Sequence, residues 1–215
     1  MLPEPTQYEL QACGIETPIL IIGGLCILQP GTNVPVVFLI DENHGSNECI
    51  EENITNAREL IARAGVTLIG VESHAGGSEW DIYEEKYTNG FDAGEDRTPV
   101  SECPRFADEM RSSAAKVLGV ESRSMSEEQQ GDFCVGGSWY GKQEKDHPLN
   151  EKRSGHFLRT LFELRQRHNL NGNLILNAGG AHNSHIESWI ADGTVETRAR
   201  QKAAYVRLRV PAYQT

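Results

Sequence analysis

Three apolar runs, each closing on a polar cluster, constrain this chain more than any other feature. Val34 to Asp41 leads into Glu42-Asn43-His44-Gly45, Val66 to Val71 runs into Glu72-Ser73-His74, and Asn173 to Ala178 precedes Gly180-Ala181-His182-Asn183-Ser184-His185. Nearly continuous apolar runs of this length suit strands covered on both faces of a parallel sheet. Between the first two, Ile50, Ile54, Ala57, Ile61 and Ala64 recur at three- and four-residue intervals, and Gly65 stands where a helix would stop. A β-α-β unit is therefore complete by Glu72. The carboxyl ends of parallel strands share one edge of an open sheet, so the three clusters are expected to converge on one crevice.

The remaining segments fill out the same architecture. Pro18 to Leu28 is too short to cross a bilayer and contains Gly23 and Gly24, so it reads as a buried strand or strand pair. The turn-forming stretch Gln29-Pro30-Gly31-Thr32-Asn33 follows it. Phe157, Leu158, Leu161, Phe162 and Leu164 mark one face of a helix from Glu151 to His168, and another helix is expected just after Asn183. Ala204 to Val210 alternates in the manner of a half-exposed edge strand. Residues 76–149 are rich in Gly, Pro, Asp, Glu and Ser, with a helix expected from Pro104 to Val117, and read as an irregular insertion that serves as a lid or specificity wall. No internal repeat or low-complexity tract is evident. The expected fold is one three-layer α/β domain over 1–215, with a mainly parallel central sheet, helices on both faces and that insertion.

Charge narrows the function classes. A net charge of -11 and a pI near 5.1 disfavour nucleic acid and anionic lipid, and suit a neutral or cationic small-molecule substrate. No Lys or Arg precedes the apolar run at Pro18, so the basic start of a secretory signal is missing and the reading leans to the cytoplasm, although a cleaved leader would leave the same sequence. Cys13, Cys26, Cys49, Cys103 and Cys134 show no paired C-x-x-C spacing and read as reduced, buried fillers.

The clusters carry the chemistry. Alternation along an extended segment puts Glu42 and His44 on one side, where an acid can orient an imidazole, though a polar turn would read the same way. Glu72 ends an apolar strand, where a carboxylate is costly to bury unless paired; a structural ion pair is the competing explanation. His182 and His185 share a face of a helical first turn and could hold a metal or a substrate oxygen, against the plainer reading of capping by Asn183 or Ser184. Two or three His with Glu could equally be zinc or manganese ligands, the set then being His44, Glu72, His182 and His185.

At these residues the chain resembles the erythromycin-esterase-like proteins and, more distantly, the ChaN-like haem-binding proteins and the TraB/Tiki group. Glu42-Asn43-His44-Gly45 with the following helix, Gly65 and Glu72 is similar to that family's opening block, and Ala181-His182-Asn183-Ser184-His185-Ile186 to its closing Ala-His-Asn-x-His segment. Arg153, ahead of Phe157 and Leu158, is placed like the family's helical arginine. The matching stretches are roughly 35–75 and 150–190; Asp41 stands where the family has Gly, and the insertion is shorter than the esterases' helical domain, which argues against a bulky macrolide. The resemblance implies water-mediated hydrolysis of an ester or related bond, with His44 as general base, Glu42 or Glu72 orienting it, and His182, His185 and Arg153 stabilising the oxyanion. Its ChaN-like branch implies instead a haem or metal carrier with His and Tyr on iron. A third expectation, a zinc amidase, would draw on His44, His74 and Glu51 or Glu52.

Overall fold

A computed structural model describes residues 2–43, 46–72, 103–133 and 146–213. An antiparallel pair, β1 (Thr6–Leu10) and β2 (Ile15–Ile21), turns through a short 3-10 segment and stands apart from the main sheet. The main sheet has six strands in the order β3 (Gly24–Gln29), β8 (Ala204–Arg209), β4 (Val36–Glu42), β7 (Asn173–Gly179), β5 (Val66–Val71) and β6 (Lys116–Gly119). All its neighbours run parallel except β3, which is antiparallel to β8. The apolar run at Pro18 thus divides between two sheets, and the break falls at Gly23, whose φ of 101° is open to glycine but strained for other residues.

Helices cover both faces, which makes the fold a three-layer α/β sandwich with a mainly parallel sheet. On one side α1 (Asn47–Ala64) and α2 (Cys103–Met110) join the β1–β2 pair, with Ile50, Leu60 and Met110 against Phe38, Ile40 and Ile175. On the other side lie α4 (Leu149–Arg167), α5 (Gly180–Ala191) and α6 (Val195–Ala199), with Phe157, Leu161 and Trp189 packed among Leu39, Leu68, Leu176 and Tyr205. Helix α3 (Arg123–Phe133) precedes α4. Helix α1 begins at Ser46, whose side chain accepts from the Cys49 N–H, and ends at Gly65 in the left-handed region.

Three expectations need correction. Helix α2 stops at Met110, and Lys116–Gly119 is strand β6 on the edge of β5. The Arg111-Ser112-Ser113 stretch breaks the apolar stripe, and serine side chains compete for the backbone, so the β-branched residue that follows is free to join the open edge. Helix α5 begins at Gly180 rather than after Asn183, directly at the end of β7. The tail strand β8 is interior, flanked by β3 and β4 and buried from Ala204 to Leu208, because β3 takes the outer position. Its alternating arginine at 207 meets buried acid, not water.

Candidate functional site

The carboxyl ends of β4, β7 and β5 are adjacent. Glu42 lies opposite Gly179, Val71 lies opposite Asn177, and the Glu72 N–H donates to the Asn177 carbonyl at 3.0 Å. After β4 the chain leaves for α1 on one face, and after β7 it leaves for α5 on the other. Such a reversal of connections is the position where open α/β sheets bind ligands.

Glu72 is the centre of the buried network there. Its Oε1 accepts from Arg153 Nη2 at 3.0 Å and lies 3.2 Å from His182 Nε2, and its Oε2 accepts from the Gly179 N–H at 2.7 Å. Burial by itself would raise its pKa, but the charges of His182 and Arg153, with the hydrogen bonds from His182 and Gly179, outweigh it and hold the carboxyl well below the usual range. Arg153 also grips Glu121 through Nε at 3.0 Å and through Nη2, and its Nη1 reaches Gln129 and, at 3.2 Å, Asn150. A planar five-donor guanidinium suits such a hub of acceptors. Phe157 lies beneath, its ring centroid 4.8 Å from that of His182 and 5.8 Å from the guanidinium carbon.

Ser154 links the two histidines. Its hydroxyl lies 2.9 Å from Nδ1 of His182 and 3.0 Å from Nδ1 of His185, and it donates to the Asn150 carbonyl at 2.7 Å. His185 stacks on Trp189 with centroids 6.4 Å apart. Burial, and after it the charges of His182 and Arg198 against the opposing pull of Glu151, keep His185 below the ordinary histidine pKa.

The structure brings Glu72, Arg153, His182 and His185 together. It turns Glu42 away: Val36, Phe38 and Ile40 of the same strand pack on the α1 side, and Glu42 follows them to accept from Asn177 Nδ2. Asp41 points to the α5 side, fully buried, and accepts from Arg207 Nη2 at 2.9 Å and Asn183 Nδ2 at 2.9 Å. Asn183 is therefore a tie between α5 and β4, not a helix cap. His44 and His74 lie outside the described residues. His147 is buried and accepts the Leu149 N–H at the start of α4.

Sequence reasoning missed Glu121, Gln129, Asn150 and Ser154. Two signals were present. Gly70-Val71-Glu72-Ser73 recurs as Gly119-Val120-Glu121-Ser122, and the two glutamates grip the same arginine. Asn150, Arg153 and Ser154 lie at helical spacing, so they share one face of α4.

The described residues do not fit a metal centre. Both Oε1 contacts of Glu72 go to cationic or N–H groups, Oε2 takes a backbone N–H, and both ring nitrogens of His182 are engaged. Among the described residues no three His, Cys, Asp or Glu side chains cluster so as to hold an ion. The acids of the amidase reading are also spent elsewhere: Glu51 pairs with Arg105 at 2.7 Å and Glu52 accepts the Ala212 N–H at 3.1 Å.

No family model, curated protein or solved structure matches the chain. No described helix is long and apolar enough to cross a membrane.

Proposed function

We propose that this chain is a hydrolase that uses water to cleave an ester or related acyl bond of a small neutral or cationic substrate. The observation that carries the reading is the buried Glu72–Arg153–His182–Ser154–His185 network at the reversal point of a parallel sheet. A carboxylate held ionised there, with a guanidinium and two imidazoles fixed around it, is a preorganised charge arrangement of the kind that lowers barriers to acyl transfer. His44, two positions past the end of β4 in the sequence, is the residue that the resemblance implies as general base. Arg153 and His182 hold the electrostatic balance against which an oxyanion develops.

The test is turnover of a panel of small esters by the wild type, His44→Ala and His182→Ala, with folding checked by circular dichroism. If His44 is the base that the resemblance implies, its loss lowers kcat by about 10²–10⁴-fold. His182→Ala is expected to lower it as well, through release of Glu72. A wild type that turns over no ester, and whose bound haem or metal is lost in both variants, would overturn the hydrolase and point to a carrier.

A further inference from the structure

We propose that Ser154 is a positioning residue that sets the tautomers of both histidines, leaving Nε2 of His185 as the proton-accepting nitrogen of the pair. The inference rests on the hydrolase reading for its catalytic consequence and on hydrogen-bond accounting for its geometry. A carbonyl oxygen carries no hydrogen, so the 2.7 Å contact between Ser154 Oγ and the Asn150 carbonyl consumes the one hydroxyl proton. Oγ then offers only lone pairs to the two Nδ1 atoms at 2.9 and 3.0 Å, and each of those nitrogens must bring its own hydrogen.

The two rings then part company. His182 also presents Nε2 to Glu72 at 3.2 Å, and an ionised carboxylate only accepts. His182 therefore carries hydrogen on both nitrogens and is an imidazolium locked between Ser154 and Glu72. His185 carries hydrogen on Nδ1 alone, and no described residue hydrogen-bonds its Nε2. Burial first, and then the charges of His182 and of Arg198 on α6 against the opposing pull of Glu151 on α4, leave it the neutral member.

This changes the role that the resemblance implies for His185. A ring with its lone pair on Nε2 cannot donate to an oxyanion. In place of the His44 that the resemblance casts as general base, it takes a proton from water as the water oxygen bonds to the acyl carbon and the carbonyl π pair moves onto oxygen. When the tetrahedral species collapses, the same proton goes to the leaving alkoxide.

The first test reads the rings directly: ¹⁵N-edited spectra of the histidine side chains at neutral pH, in the wild type, Ser154→Ala and Ser154→Thr. The expected wild-type pattern is both nitrogens protonated on His182 and Nδ1 alone on His185. Ser154→Ala is expected to move His185 toward the Nε2–H form, and Ser154→Thr, which keeps the hydroxyl, to restore the wild-type pattern. An Nε2–H form of His185 in the wild type, or no change in Ser154→Ala, overturns the inference.

Turnover is a separate readout. With a substrate found for the wild type, His185→Asn keeps a donor toward Ser154 but has no basic nitrogen, and it is expected to lose at least tenfold in kcat with little change in KM. Full kcat in that variant removes the proton-acceptor role even if the tautomers are as stated. Absence of any esterase activity, with the tautomers as stated, counts against the hydrolase reading and leaves the Ser154 geometry standing.

Discussion

A carboxylate where Glu72 stands would be intolerable without the cations that face it, and this links stability to acid. Its folded pKa lies below the unfolded value, so the stability it contributes is complete above the ordinary glutamate range. That stability is lost as the pH falls below about 4.5 and onward through the folded pKa. The gap in urea midpoint between the wild type and Glu72→Gln is therefore expected to be widest near neutrality and to close in acid; a constant gap would contradict the assignment. Glu72 was legible in the sequence because an acid at the end of an apolar strand is an anomaly that demands partners. Ser154 was not, since a single hydroxyl on a helix face has no pattern of its own. Glu42 was misplaced for a different reason. Alternation fixes which neighbours share its side, but it does not say which side of the sheet that is.

Elements built on periodicity were legible, and those decided by neighbours were not. Helices α1 and α4 follow from three- and four-residue spacing, while β6 became a strand only because β5 offered an open edge. Where α4 crosses β5 the contact depends on Gly70. A Cβ there would come within 2.7 Å of Leu161 Cδ1 and 2.8 Å of Val120 Cγ1, closer than packed carbons approach. Gly70→Val is expected to lift α4 from the sheet, and Arg153 and Ser154 ride on that helix. Overpacking of this kind costs about 1–3 kcal/mol. The expected signature is a lowered melting temperature together with loss of the wild-type His182 and His185 ring signals, whereas a folded variant with unchanged ring signals would show that α4 adjusts without moving the site.

For the whole molecule, the order of strands matters more than their number. β8 is the last strand of the sheet in sequence, yet it sits between β3 and β4 and carries Arg207 to the buried Asp41. Removal of residues 204–213 is expected to abolish the cooperative thermal transition followed by circular dichroism, not merely to lower its midpoint. It strips a strand buried from Ala204 to Leu208 and leaves Asp41 without its principal cation, a loss of about 3–5 kcal/mol by itself. A shortened chain that still melted in one sharp step would show that β3 can pair with β4 directly. The same arrangement bears on how the protein is made. During translation β3 emerges early, and its sheet partner comes from the far end of the chain. At about 5–20 residues per second, on the order of ten seconds or more separates the two. Throughout that interval the edges of β3 and β4 stand unpaired and adhesive, so the nascent chain is a natural client for chaperones that shield exposed strands.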